Sequence, residues 1–175
     1  AYMFSSFNGA NQAGRKTVAR FRYYRFYGTK VRTPSADAPT YPNGLIQMSE
    51  FIILLGNTRI DYTGATATNP GGSNPVGEEP SKGIDNNQNT KWLDFNFNSS
   101  GYAILQVDFG SVRQADAFQY RTANDVDGRD PIRWLMQGSN DASVWYTVHD
   151  QNSSDATITT ARYTLTQVFY FNKNY

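Results

Sequence analysis

Hard oxygen donors crowd one stretch of the chain, Ser81-Lys82-Gly83-Ile84-Asp85-Asn86-Asn87-Gln88-Asn89-Thr90-Lys91-Trp92. Asp85, Asn87 and Thr90 offer side-chain oxygens at irregular spacing. The density of Asn and Gly lets the backbone curl until its own carbonyls point inward as further ligands. No Cys or His lies nearby, so such a turn suits calcium better than zinc. The same composition also makes a plain Asn-rich turn between two strands, and the rest of the chain has to decide between them.

Other chemistry is sparse. Hydrolysis needs a base or a carboxylate pair held in a cleft. His149 is the single histidine, it stands before Asp150 on a predicted strand, and no Ser or Cys nucleophile motif accompanies it. It reads as a packed or surface side chain. Asp125, Asp127 and Asp130 surround Gly128-Arg129; a second metal site or a carboxylate pair is one reading, and turn chemistry with an Arg129 salt bridge explains them with less. Gly71-Gly72 lacks the strand-to-helix setting of a phosphate loop. The absence of cysteine removes disulfides, thiol nucleophiles and thiolate metal sites together. The reading is therefore of a protein that is not an enzyme.

The elements that must position the turn follow from composition. With 175 residues the chain suits one domain. Aromatics make up 15% and Tyr, Thr, Val, Asn and Gly outweigh Leu, Glu and Lys, which predicts an all-β fold. No apolar run approaches the roughly 20 residues of a membrane-spanning helix, so membrane insertion is not expected. A net charge of +1 gives no field that would draw the protein onto nucleic acid. The charge is uneven, however: Arg15, Lys16, Arg20, Arg22, Arg25, Lys30 and Arg32 all precede the first acidic residue, Asp37. That excess is either a subunit-docking device or a set of edge-strand charges that resist sheet-to-sheet aggregation.

Residues 1–19 show no sustained period and read as an N-terminal arm, with Tyr2, Met3, Phe4 and Phe7 to pack on the domain or on a neighbouring copy. Residues 20–175 form the domain. The first strong strand is the aromatic run at 21–31, neither face of which is cleanly apolar; a second follows at 46–55. Residues 57–80 read as a long irregular loop. Short apolar-aromatic runs at 103–109, 115–121, 132–137, 144–150 and 162–171, bounded by Gly, Asn, Asp or Pro, bring the count to seven or eight strands. Spaced this regularly, they predict a jelly-roll β-sandwich.

Four ordered motifs, Asp85 with Thr90-Lys91-Trp92, Leu105-Gln106-Val107-Asp108-Phe109-Gly110, Asp130-Pro131-Ile132-Arg133-Trp134, and Gln137-Gly138-Ser139-Asn140-Asp141 with Trp145, resemble the discoidin domain. That family is also called coagulation factor 5/8 type C and is similar to galactose-binding-like carbohydrate-binding modules. The pieces Tyr23-Tyr24-Arg25-Phe26 and Gln47-Met48-Ser49-Glu50-Phe51 resemble strands that close the family's domain at its C-terminus, but here they open it, as in a circular permutant. The resemblance implies that the segment around 164–171 lies beside residues 22–27. It also implies a structural calcium held by Lys82, Asp85, Asn87 and Thr90 of the turn, completed by Glu50 and the Ser49 carbonyl of the displaced strand.

The same resemblance places Trp92, Trp134 and Trp145 in the core and puts ligands on loops at one end of the sandwich. Tyr62, Arg121, Asn124 and Arg129 are the loop candidates for binding a sugar. The leading expectation is a non-catalytic carbohydrate-binding or adhesion domain that meets a glycan on a cell or particle surface, in an extracellular setting. The alternative is a structural subunit of a virion, appendage or surface layer, a homo-oligomer assembled through residues 1–19. Asn98-Ser99-Ser100 and Asn152-Ser153-Ser154 are N-glycosylation triplets that matter only on a eukaryotic secretory route.

Overall fold

The aromatic run near the N-terminus becomes the central strand of the larger sheet in a computed structural model, which describes residues 17–173. Most of the expected arm, and with it the expected assembly contact, lies outside the described residues. In chain order the strands are β1 (Ala19–Val31), β2 (Ile46–Met48), β3 (Glu50–Leu55), β4 (Thr58–Arg59), β5 (Thr66–Thr68), β6 (Trp92–Asp94), β7 (Ala103–Ala115), β8 (Ala117–Arg121), β9 (Pro131–Ser139), β10 (Tyr146–Asp150) and β11 (Phe169–Tyr170). A single helical turn, α1 (Phe97–Ser100), precedes β7. A five-stranded sheet in the order β10-β9-β1-β7-β5 faces a four-stranded sheet in the order β11-β8-β3-β4, and β2-β6 form a short ribbon. Every ladder is antiparallel, which confirms the all-β sandwich.

Strand β1 has two mixed faces in sequence because its register slips. A bulge between Phe21 and Tyr23 against β7 lets Phe21 and then Tyr24 and Phe26 all turn inward. Phe21 lies flat across Gly138 of β9, where an added Cβ would come within 2.1 Å of its ring. Beyond the bulge, Phe26 packs edge-on to Phe51, Phe118 and Tyr120 of the other sheet, and Trp134 completes the cluster. Trp92 and Trp134 are fully buried core residues. Trp145 is not: it is half-buried on the outer side of the larger sheet, with the Arg25 guanidinium 4.0 Å from its ring.

Two expectations need correction. The stretch at 57–80 is not structureless, because Gly56 and Asn57, both at positive φ, turn β3 into β4, and β5 adds an edge strand to β7. The segment at 162–171 is mostly irregular and pairs with β8, through Phe169 and Tyr170 and a bridge from Leu165 to Arg121, rather than with β1. The two ends still meet. Thr17 N donates to Phe171 O at 3.1 Å, and the Phe171 ring stacks on Tyr24 across the core.

The aspartate corner is structural. Asp130 is fully buried and gripped by two arginines, Arg32 at 2.7 Å and Arg162, which tie the end of β1 to the C-terminal segment. Arg129 makes a two-pronged pair with Asp37 at 2.7 and 3.0 Å.

Candidate metal and ligand site

Strand β3 begins at Glu50 because the ladder breaks at Ser49, between β2 paired to β6 and β3 paired to β8. That break turns Ser49 toward the oxygen-rich turn. Its hydroxyl reaches the carbonyls of Gln88 at 2.8 Å and Thr90 at 3.0 Å. On the other side, residues 80–83 make one helical turn whose Gly83 presses on the core, with an added Cβ 3.0 Å from Leu105 and 3.2 Å from Trp92. Two segments more than thirty residues apart in the chain therefore meet at one place.

The oxygens there converge. Thr90 Oγ1 lies 2.5 Å from Asp85 Oδ2, 3.0 Å from the Asn87 carbonyl and 3.4 Å from the Lys82 carbonyl. Glu50 is 2% exposed, and its Oε1 is buried with no hydrogen-bond partner. The Glu50 carboxyl is pushed up to about 8, first by burial and then by the neighbouring Asp85 carboxyl, with Arg59 opposing the shift. An orphaned carboxylate oxygen facing a second carboxyl, among carbonyls and a hydroxyl, fits a hard divalent cation. Lys82, Asp85, Asn87, Thr90 and Glu50 would hold it, with Ser49 beside them. Among the described residues no group of three or more His, Cys, Asp and Glu side chains is placed to hold a metal ion, so such a shell must draw on backbone and hydroxyl oxygens beside the two carboxyls.

Arg59 is a participant that sequence reasoning missed. Its Nη2 lies 3.4 Å from Glu50 Oε2 and 3.2 Å from the Ile84 carbonyl, and it stacks on Tyr62 at 3.9 Å. It covers one oxygen of Glu50 and leaves the other bare. The Gly56-Asn57 turn was the available signal, since a two-residue hairpin returns Arg59 alongside β3. Lys91 was missed too. It is buried at the edge of the turn, with Nζ 2.8 Å from Gln47 Oε1 and 2.9 Å from Asp125 Oδ1.

The four loop candidates for sugar binding are not gathered at one site. The Tyr62 hydroxyl is fixed to the backbone of β3, donating to Phe51 O at 2.8 Å and accepting from Ile53 N at 3.0 Å, and burial raises its ionisation above the ordinary phenol range. Arg129 is taken up by Asp37. Asn124 is exposed on the loop beyond β8. Arg121 stands apart from these three. It lines a cleft of about 320 Å³ with Glu50, Ile52, Asn86, Asn87 and Gln88, and its Nη1 donates to Tyr163 O at 2.8 Å.

His149 packs between Trp134 and Phe169, and its Nδ1 accepts from Trp134 Nε1 at 3.2 Å. Burial lowers its pKa to about 4. Asp150 acts against that shift and Lys173 adds to it.

Comparison with known proteins adds two findings. The model of the F5/8 type C domain matches residues 64–173. The match begins after β1 to β4, yet β1 lies between the matched strands β7 and β9, so strands from outside the match complete its sheets. A peptide-N(4)-(N-acetyl-beta-glucosaminyl)asparagine amidase of Arabidopsis thaliana is 31% identical over 83 residues, covering 45% of this chain and 12% of that protein. The chain thus spans about an eighth of the length of that relative. No solved structure matches.

Proposed function

Since the chain belongs to the F5/8 type C domain family, we propose that it is a non-catalytic glycan-binding module whose recognition cleft is walled by a calcium-ordered turn. The observation that carries this reading is the cleft itself. Amide side chains of Asn86, Asn87 and Gln88 and the Arg121 guanidinium surround one aliphatic residue, Ile52, an environment of donors and acceptors suited to hydroxyl groups. The relative's name places its action at an N-acetylglucosaminyl-asparagine linkage, which agrees with a sugar-bearing partner.

The metal and the cleft share residues. Asn87 contributes a carbonyl to the proposed cation shell and also lines the cleft, and Glu50 borders both. Calcium bound there would tie residues 85–90 to Glu50 and so fix the wall of the cleft. Its role there would be structural, with the Glu50 and Asp85 carboxylates, the Lys82 and Asn87 carbonyls and the Thr90 hydroxyl as the groups that hold it. The partner is a glycan on a cell or particle surface in an extracellular setting. No helix among the described residues is long and apolar enough to cross a membrane.

A glycan array probed with the calcium-loaded protein tests this reading. Binding to a defined set of glycans is expected, with a loss of at least tenfold for Arg121→Ala and a comparable loss in chelator. Retention of all binding by Arg121→Ala would place recognition elsewhere.

A further inference from the structure

On the outer face of the five-stranded sheet, away from the cleft, one polar row crosses every strand. Thr68 of β5 is paired with Gln106 of β7, Gln106 with Arg25 of β1, Arg25 with Gln137 of β9, and Gln137 with Thr147 of β10. Pairing partners share a face of the sheet, so these five side chains form a continuous track of hydroxyl, amide, guanidinium, amide and hydroxyl. Five strands at the usual inter-strand spacing make it about 19 Å long. Thr68 is exposed and the other four are half-buried.

The centre of the row is unusual. Arg25 Nε donates to Gln137 Oε1 at 2.9 Å, but neither of its terminal nitrogens carries a hydrogen bond, and it has no carboxylate partner among the described residues. Partial burial lowers its pKa. The Trp145 ring lies 4.0 Å from the guanidinium carbon, and the Tyr27 ring, itself stacked on Tyr102, lies 5.4 Å away. Rings hold the guanidinium in place from the sides while its fork stays open, the geometry that accepts a two-oxygen anion. By contrast Arg22, on the same strand, is already paired with Asp108 at 2.9 Å.

We infer that this face binds an acidic saccharide chain, whose carboxylate or sulfate sits on the Arg25 fork while neighbouring sugar units lie along the polar row beside Trp145 and Tyr27. The oxyanion requirement follows from the uncompensated cation. The saccharide requirement follows from what flanks it: amides and hydroxyls at each strand step, with the half-buried Trp145 ring beside the guanidinium as the apolar surface next to them. This surface does not depend on the cleft beside the calcium turn.

Trp145 gives the test its signal, because Trp92 and Trp134 are fully buried and a ligand-induced change in indole emission reports the outer face. The full-length protein is titrated with a galacturonic acid hexamer, a sulfated galactose hexamer and a neutral galactose hexamer, at low and high salt. Acidic hexamers are expected to shift the emission and bind at least tenfold more tightly than the neutral one, with affinity falling as salt rises. Arg25→Gln is expected to lose at least tenfold and Arg25→Lys less; Trp145→Ala, which lacks the reporting indole and is titrated by calorimetry instead, is expected to lose several-fold. Arg121→Ala, which disables the cleft, leaves this binding unchanged. Thermal melts establish that each variant is folded; should Arg25→Gln not fold, Trp145→Ala and the salt series decide. Equal affinity for the neutral hexamer, indifference to Arg25→Gln in a folded protein, or tighter Arg25-dependent binding of a single-stranded oligonucleotide would each overturn the assignment.

Discussion

The buried carboxyl of Glu50 lies against that of Asp85, although the two residues belong to segments 35 positions apart in the chain. Arg59 answers only one oxygen of Glu50, and the other has no partner. Like charges so placed either share a proton or share a cation. The surrounding Lys82 and Asn87 carbonyls and the Thr90 hydroxyl favour the cation.

The first prediction concerns that choice. Calcium at about one hundred times its dissociation constant is expected to add about 2.7 kcal/mol, a rise on the order of 5–10 °C in melting temperature for a domain of this size. Glu50→Gln replaces a carboxyl that burial already keeps largely protonated without metal by a neutral amide that cannot become a carboxylate ligand. Without metal this variant is expected to melt at or above the native protein, and with calcium to show no rise. Calorimetry with and without chelator measures both. A native protein whose melt ignores calcium would remove the metal from the site.

His149 predicts an acid limb of different origin. Its folded pKa of about 4 lies below the ordinary value of 6.5, so between these values the unfolded chain binds the proton more readily. Stability contributed by the neutral imidazole is therefore complete above pH 6.5 and is lost as pH falls toward 4. The loss is on the order of a few kcal/mol. His149→Gln, whose amide oxygen can still accept from Trp134 Nε1, is expected to flatten this limb in urea unfolding measured from pH 7 to pH 4. An unchanged slope would assign acid sensitivity to other groups.

Gly138 predicts a packing effect. Phe21 occupies the space above it, so Gly138→Ala must displace an aromatic ring in a core already closely packed. The expected cost is about 1–3 kcal/mol, read from the denaturation midpoint. Phe21→Leu in the same background is expected to recover part of the loss, because the smaller side chain makes room for the methyl group. Additive losses in the double variant would show that the two positions do not interact.

How much of this was legible in sequence depended on whether a residue's role was local. Alternating apolar runs bounded by Gly, Asn and Pro located most strands, and the oxygen density at 81–92 marked the turn, because both signals are written in neighbouring residues. Arg59 was hidden by a two-residue hairpin inside what read as a loop. The faces of β1 were scrambled by a bulge that no periodicity carries. Trp145 was expected in the core on the strength of its motif. It lies instead on the outer face, one residue before β10 begins. Tyr62 looked like a loop ligand until the backbone of β3 took its hydroxyl.

The last prediction addresses strand order. Thr17 N and Phe171 O are 3.1 Å apart, and the family match starts at residue 64, in an exposed turn after β4. A chain that begins at Gly64, runs to Lys173, continues through a short linker into Thr17 and ends at Thr63 keeps every ladder of both sheets. Within residues 17–173 it breaks only the connection between Thr63 and Gly64, where Gly64 sits at φ 76° in a turn; the native chain cut to residues 17–173 is its reference. Such a rearranged protein is expected to fold to the same β-rich spectrum and to melt within several degrees of the native chain, because the new loop is short and the opened one is exposed. Residues 64–173 alone are expected to remain unfolded: without β1, the strands β7 and β9 lose the partner between them, and without β3, β8 loses its neighbour. Circular dichroism and thermal melting of the two proteins separate the outcomes. A rearranged chain that fails to fold would mean that the present strand order is needed to reach the sandwich, and a folded 64–173 fragment would mean that β1 and β3 are additions to a domain already complete.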